Sequence, residues 1–167
     1  MNQKIFLIGF MGSGKTHWGR IWAAKNVLSF FDLDAEVEQN FGMTVDEIFQ
    51  KEGEEKFREL ERFQLQKFAT RDNFILSCGG GTPCFGDNVE WMNANGSVVY
   101  LRATPEQILK NVTPKLYKRP LLKNVHPSEL LLFIQTKLKD RESFYNKARY
   151  LLDWENLQEN SLSPIIS

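Results

Sequence analysis

Short apolar runs alternate with longer amphipathic stretches along this chain. Five short runs of aliphatic and aromatic residues predict strands at 5–8, 29–33, 74–77, 97–101 and 150–153, the last at a sheet edge. Apolar residues at helical spacing predict helices over 16–26, 35–50 with a break near Gly42, 53–70, 88–94, 104–114 and 128–148. Thr104 and Ser128 are expected to cap the last two of these helices. Strands that alternate with helices are typical of an α/β fold, in which helices cover both faces of a parallel sheet.

The first predicted strand leads into a glycine-rich loop at residues 9–16, Gly-Phe-Met-Gly-Ser-Gly-Lys-Thr. It fits the pattern Gly-x-x-x-x-Gly-Lys-Ser/Thr, in which backbone N–H groups surround phosphates, the lysine reaches the β- and γ-phosphates, and the hydroxyl ligates Mg²⁺. The helix that follows adds the positive end of its dipole. A plain glycine turn is the alternative, but the strand–loop–helix context favours a nucleotide site. The predicted phosphate-binding residues are Gly12, Ser13, Gly14, Lys15 and Thr16.

Aspartates and glycines follow two further predicted strands. Asp32 and Asp34 come after the second strand, and Gly79, Gly80 and Gly81 come after the third. Because ligands of parallel sheets bind beyond the carboxyl ends of the strands, we expect all of them to share one crevice with the phosphate loop. The two aspartates lie two residues apart on a segment that we interpret as extended, so one should face Mg²⁺ and the other an acceptor hydroxyl. Helix capping by the aspartates and a flexible triglycine turn are the alternatives.

Three arginines are candidates for binding an anionic substrate. Arg58 lies on a predicted helix between Glu54 and Glu61, where solvated helix pairs explain it equally well. Arg141 falls in the apolar stripe of its helix, and an inward guanidinium needs either a carboxylate partner or a cleft. Arg119 lies in a long basic segment with three prolines. It is either a solvated loop cation or an arginine that a lid brings onto a transferring phosphoryl group.

The composition excludes several function classes without selecting one. A length of 167 residues predicts a single domain, 1–167, with a full core. Basic and acidic residues balance at 21 each, so no net field favours nucleic acid or a membrane surface. No stretch is apolar enough to span a bilayer, and no signal peptide is expected. Cys78 and Cys84 lack the neighbours that would complete a zinc set, and reduced thiols fit a cytoplasmic enzyme.

The ordered set of motifs resembles the shikimate kinase family. The matching segments are the phosphate loop at 9–16, Asp32-x-Asp34, Phe57-Arg58, Cys78-Gly-Gly-Gly81, Arg119-Pro-Leu-Leu122 and Arg141-x-x-x-Tyr145. Beyond the phosphate loop each motif is weak by itself, whereas the set, spread over residues 4–153, is specific. The resemblance implies a three-layer α/β/α fold like that of the nucleoside monophosphate kinases. It further implies five parallel strands in the order 2-3-1-4-5, an acceptor-binding helical part at about 34–61 and a lid at about 112–126.

The resemblance also implies an activity, the transfer of the γ-phosphate of ATP to the 3-hydroxyl of shikimate in the route to chorismate and the aromatic amino acids. The residues that it implies for catalysis are Lys15, Asp34 and Arg119, with Arg119 also on the nucleotide. Those implied for shikimate are Asp34, Arg58, Arg141 and the backbone of Gly79, Gly80 and Gly81. Those implied for Mg²⁺ are Thr16 and Asp32. We expect a cytoplasmic monomer that binds ATP and shikimate but neither nucleic acid nor a membrane.

Two features depart from the family pattern. Val112 stands where members usually carry an arginine that stacks on adenine, with Lys110 as a candidate replacement, and residues 154–167 lack the usual basic adenine loop. These differences concern the adenine contacts and leave the phosphate and acceptor chemistry intact. Two alternatives stay open: a kinase of another small acceptor, such as gluconate or a nucleoside monophosphate, and a nucleotide-binding regulatory protein without turnover.

Overall fold

A parallel sheet of five strands forms the centre of the chain. The structure is a computed structural model, and it describes residues 2–114, 122 and 125–166. The strands are β1 (Lys4–Ile8), β2 (Ser29–Asp32), β3 (Phe74–Ser77), β4 (Ser97–Arg102) and β5 (Tyr150–Asp153). Their order is β2-β3-β1-β4-β5, and each neighbouring pair is parallel. The predicted α/β class and strand order are confirmed.

Helices cover both faces of this sheet. They are α1 (Lys15–Lys25), α2 (Leu33–Phe41), α3 (Val45–Gln66), α4 (Asn88–Asn95), α5 (Pro105–Val112), α6 (Leu130–Tyr145) and α7 (Ser163–Ile166). Because side chains alternate along a strand, Ile5 and Leu7 of β1 pack on the side of α1, and Phe6 and Ile8 pack on the side of α3 to α6. The strands are therefore buried on both faces, which explains their nearly continuous apolar sequences.

The pair α2 and α3 has a small core of its own, formed by Val37, Ile48 and Phe57. The predicted break near Gly42 is confirmed, since this residue ends α2 with φ 67°, a region that favours glycine. The predicted helix boundary near residue 53 is confirmed. Gly53 has the non-helical angles φ 85° and ψ 170°, so α3 consists of two helical segments that meet at a kink at this residue.

The two predicted helix caps have different outcomes. Thr104 caps α5, because its Oγ1 accepts the N–H of Gln107 at 3.2 Å and the Gln107 side chain accepts the N–H of Thr104 at 2.8 Å. Ser128 does not cap α6. It lies within a 3₁₀ turn, Pro127–Glu129, that precedes the helix, and His126 Nδ1 accepts its N–H at 3.3 Å. The N-cap residue of α6 is Glu129, so the serine lies one residue before the capping position.

The C-terminal segment packs back onto the sheet. Trp22 of α1 donates its indole N–H to the carbonyl of Gln158 at 2.8 Å, and Leu162 is buried beside it in the α1-side core. Most of the predicted lid lies outside the described residues, including Arg119. Within the part that the structure describes, no helix has the length and hydropathy to cross a bilayer.

Candidate active site

A cleft of about 540 Å³ lies beyond the carboxyl ends of the strands. The phosphate loop after β1, the β2–α2 junction and the glycines after β3 all line it, as the parallel-sheet rule predicts. Its lining includes Gly12, Gly14, Lys15, Thr16, Asp32, Asp34, Gly79 and Gly80. The sequence therefore predicted correctly that three separate segments meet in one crevice.

The phosphate loop has the backbone that its glycines predict. Gly12 and Gly14 have φ values of 80° and 86°, where a side chain would be strained. Lys15 is buried, and its Nζ donates to the carbonyls of Gly9 at 2.7 Å and Phe10 at 2.9 Å. These bonds hold the ammonium against the loop, beside the space where phosphates would lie.

Ser13 has a different position from its neighbours in the loop. Its side chain is fully buried, its N–H donates to the carbonyl of Phe10 at 3.1 Å, and it is not part of the cleft lining. Its Oγ finds no hydrogen-bond partner among the described residues. In this structure Ser13 stabilises the turn of the loop, and its N–H does not face the cleft.

Asp32 links the end of β2 to both the phosphate loop and α2. Its Oδ2 accepts from Thr16 Oγ1 at 3.1 Å, and its Oδ1 accepts the N–H of Asp34 at 3.2 Å as the cap of α2. The sequence left helix capping and a functional role as alternatives for the aspartates, but the carboxylate of Asp32 both caps α2 and contacts Thr16 of the phosphate loop. The prediction of an extended segment through Asp34 is wrong, because the chain turns into α2 at Leu33. Both aspartates line the cleft, and Asp34 also lines a second, smaller cavity next to it.

Asp34 lies in the first turn of α2, between several charges. Burial, together with the negative charges of Glu61 and Asp32, raises the pKa of its carboxyl from 3.8 to about 7, while Lys15 and Arg58 oppose the shift. A carboxyl with a pKa near neutrality is suited to accept a proton from a reacting hydroxyl.

A smaller cavity of about 110 Å³ adjoins the cleft, and Asp34 lines both. Arg58 and Arg141 line the smaller cavity, and the predicted convergence of these arginines is found there. A Cβ at Gly81 would displace the guanidinium of Arg58 from its position in the cavity. The guanidinium of Arg141 lies over the ring of Phe10, 5.4 Å from its centroid. Two guanidinium groups in a small cavity favour a carboxylate ligand.

Glu61 is the principal site residue that sequence reasoning missed. It was considered only as a solvated partner of Arg58, but its side chain is fully buried. Its Oε2 accepts from Arg58 Nη1 at 2.8 Å, and its Oε1 accepts from Thr82 Oγ1 at 2.5 Å. Glu61 thus orients Arg58 toward the cavity and joins α3 to the segment after Gly81. Its position three residues after Arg58, on the face of α3 that carries Leu65, was the available signal.

Tyr145 supports the other side of the cavity. Its hydroxyl donates to the carbonyl of Gly80 at 2.7 Å and so ties α6 to the glycine segment. Cys78 lies at the start of this segment, where burial raises the pKa of its thiol, and burial also raises the pKa of the Cys84 thiol. Both thiols are therefore protonated at neutral pH and poor nucleophiles.

The oxygen atoms at Thr16 and Asp32 suit one hard cation. Mg²⁺ usually keeps several waters and binds one or two carboxylates together with substrate phosphates. Across the described residues, no group of three or more His, Cys, Asp or Glu side chains could hold a metal by itself. The hydroxyl and carboxylate 3.1 Å apart therefore fit a magnesium ion that is shared with a nucleotide, and not an all-protein metal site.

A glycine phosphate loop with a buried lysine, next to a pocket with two arginines, defines a P-loop kinase of a small molecule. A family model described as "Shikimate kinase" matches residues 11–166. The chain belongs to the shikimate kinase family.

Individual relatives support this family over nearly the whole chain. A shikimate kinase of Phocaeicola vulgatus is 42% identical over 156 residues, which cover 93% of this chain and 89% of that protein. The crystal structure of shikimate kinase from Bacteroides thetaiotaomicron has a TM-score of 0.93 at 37% identity and covers 99% of both chains. The shikimate kinase from Acinetobacter baumannii in complex with shikimate has a TM-score of 0.85 at 34% identity, covering 99% of this chain and 91% of that one.

Proposed function

We propose that this kinase transfers the γ-phosphoryl group of ATP to the 3-hydroxyl of shikimate. The observation that carries the proposal is the pair of adjoining cavities, with the phosphate loop in one, two arginines in the other and Asp34 at their junction. A small hydroxy acid in the smaller cavity would present a hydroxyl to Asp34 and toward Lys15. Gluconate or a nucleoside monophosphate finds no comparable support, since the relatives at about 40% identity are shikimate kinases.

In the proposed reaction, Arg58 and Arg141 hold the carboxylate of the acceptor, and the backbone of residues 79–81 closes its pocket. Asp34 accepts the proton of the 3-hydroxyl as that oxygen bonds to the γ-phosphorus. The bond from the γ-phosphorus to the β-γ bridging oxygen breaks, and ADP leaves. Lys15 neutralises the charge on the transferring group, and such positioning and neutralisation are what phosphoryl transfer requires.

Thr16 and Asp32 would hold Mg²⁺, which would supply positive charge to neutralise the phosphates. The resemblance assigns Arg119 to the same phosphoryl group, and that role remains a prediction. Balanced charge and two free thiols support a further proposal, that the enzyme acts on small molecules in the cytoplasm. The monomeric state stays a prediction.

An ADP-release assay against a panel of acceptors tests the proposal. We expect turnover with shikimate and none with gluconate or nucleoside monophosphates. Turnover with another acceptor and not with shikimate would show that the protein is a kinase of that acceptor. Nucleotide binding without turnover would support a regulatory protein instead.

Arg58→Ala is expected to raise the KM for shikimate by roughly 10- to 100-fold, as for loss of a charged hydrogen bond, with a smaller effect on kcat. The reason is that the guanidinium holds a carboxylate equally in the ground and transition states. Arg58→Lys, which keeps the charge without the bidentate geometry, should fall between the two. Steady-state kinetics with varied shikimate at saturating ATP measure the effect.

Arg62→Ala is the matched control for Arg58. Arg62 lies on the same helix, pairs with Asp87, donates to Asn88 at 3.1 Å and does not line the cavity. The KM of Arg62→Ala for shikimate should equal that of the wild type. An unchanged KM for shikimate in Arg58→Ala would show that Arg58 only forms structural ion pairs and does not bind the substrate.

A further inference from the structure

The hydrogen bond between Thr82 and Glu61 joins two walls of the smaller cavity. One wall is α3, which carries Arg58, and the other is the run of glycines after β3. A Cβ placed on Gly79 would lie 3.0 Å from Glu61 Oε1 and 3.1 Å from Thr82 Oγ1. The same point lies 3.3 Å from Asp34 Oδ1. The bonded pair therefore lies directly beside the backbone that lines the cavity.

The position of Arg58 depends on Glu61 more than on its other carboxylate partner, Glu54. Glu54 lies 3.4 Å from Arg58 and its side chain is 63% exposed, and an exposed ion pair of this kind contributes little. Glu61 lies 2.8 Å from Arg58 and is fully buried. Hydrogen bonds between two charged groups are short and strong, so the guanidinium follows the orientation of the Glu61 carboxylate.

The carboxylate of Glu61 is oriented by its two partners. The last torsion of a glutamate side chain has no narrow minimum, so the chain of Glu61 alone does not fix the plane of the carboxylate. Arg58 Nη1 binds Oε2 and Thr82 Oγ1 binds Oε1 at 2.5 Å, which fixes both oxygens. Loss of the hydroxyl would take the partner from a buried oxygen, at a cost that favours rotation of the carboxylate toward another donor. That rotation would draw Arg58 out of its position.

Thr82 itself is held rigidly. Its side chain is fully buried, and branching at Cβ restricts its χ1 torsion. Its N–H donates to the carbonyl of Gly79 at 3.1 Å, and its carbonyl accepts from Asn88 Nδ2 at 2.9 Å. Thr82 lines neither the cleft nor the smaller cavity, so any effect that it has on a ligand has to pass through a neighbour.

We propose that Thr82 is a positioning residue for the carboxylate of the acceptor and acts through Glu61 on Arg58. The inference rests on the proposed function for the identity of the acid, shikimate. It assigns to the Thr82 hydroxyl an effect on the affinity for the acid, and no effect on nucleotide binding or on the transfer step.

Thr82→Val tests this role, because it removes the hydroxyl and keeps the branched shape. The Kd for shikimate, measured by titration calorimetry, should rise by about 3- to 30-fold, as for loss of one buried hydrogen bond to a charged group. The KM for shikimate should rise in parallel, while kcat and the Kd for ADP stay within about twofold of the wild type.

Two further variants accompany it. Thr82→Ser keeps the hydroxyl and should bind shikimate within about threefold of the wild type, even if the lost methyl group lowers its Tm. Thr70→Val is the matched control, since the exposed hydroxyl of Thr70 donates to the carbonyl of Lys67 at 3.2 Å, away from both cavities. Its shikimate affinity should equal that of the wild type.

A double-mutant cycle separates positioning from general loosening of the cavity. If Thr82 acts through Arg58, adding Thr82→Val to Arg58→Ala should raise the KM for shikimate by no more than about twofold. The same factor in both backgrounds would show that Thr82 supports the whole pocket, and the proposal would be overturned.

An unchanged Kd for shikimate in Thr82→Val would also overturn it, as would a serine variant as weak as the valine variant. The first result would leave the hydroxyl without influence on the acid, and the second would make the methyl group the important part. Failure of the proposed function looks different: a wild-type protein that binds shikimate without phosphorylating it would still support the role of Thr82 if the Kd values have the expected ratio. A wild-type protein that binds no shikimate would overturn both.

Discussion

Asp34→Asn is expected to lower kcat by about 10²–10⁴, the range for loss of a general base, while ATP and shikimate still bind. The amide keeps the size of the carboxylate but cannot accept the proton of the attacking hydroxyl. Single-turnover and steady-state rates measure the loss, and titration calorimetry measures binding. Turnover near the wild-type rate would show that Asp34 is not the activating group.

The pH dependence separates this role from a structural one. Because the pKa of Asp34 is about 7, the wild-type kcat/KM for shikimate should fall below about pH 7, and Asp34→Asn should lack this limb. The folding stability should change with pH in the opposite direction to the activity. A folded-state pKa above the ordinary 3.8 means that the native state loses stability as the pH rises from about 4 to 7 and Asp34 ionises. Asp34→Asn should therefore have the higher Tm above pH 7, and this advantage should disappear near pH 4.

Lys15→Met is expected to lower kcat by about 10²–10³, as for loss of one donor to a charge that develops in the transition state. Methionine fills the same buried space but leaves the phosphoryl oxygens without a cation. The Asp34 limb of the pH profile should also move upward, because Lys15 opposes the raised pKa of that carboxyl. Rates at saturating ATP and shikimate between pH 6 and 9 measure both effects.

Lys25→Met is the matched control for Lys15. Lys25 lies at the other end of α1, half-exposed, and pairs with Glu159 at 3.4 Å. An exposed pair of this kind has little influence on stability and none on the cleft, so its rate should equal that of the wild type. A rise in the ATP KM at unchanged kcat in Lys15→Met would restrict Lys15 to nucleotide binding.

Features that depend on adjacent residues could be predicted from the sequence. The strands could be predicted because burial on both faces requires continuous apolar runs. The phosphate loop could be predicted because its glycines and Lys15 lie within one short segment, residues 9–16. The extended conformation through Asp34 was predicted wrongly, because α2 begins at Leu33, one residue after the strand. Glu61 was missed because its burial depends on Thr82, which is distant in sequence and contacts α3 only in the folded chain.

The small core between α2 and α3 affects how this enzyme loses activity on heating. Val37, Ile48 and Phe57 form a cluster separate from those that hold the sheet. Cooperative units with little buried surface open at a lower free energy than the central strands. Heating should therefore loosen the segment that carries Arg58 and Glu61 first. The protein would lose its affinity for the acid substrate while the sheet and the phosphate loop are still folded. Thermal inactivation would therefore proceed in stages.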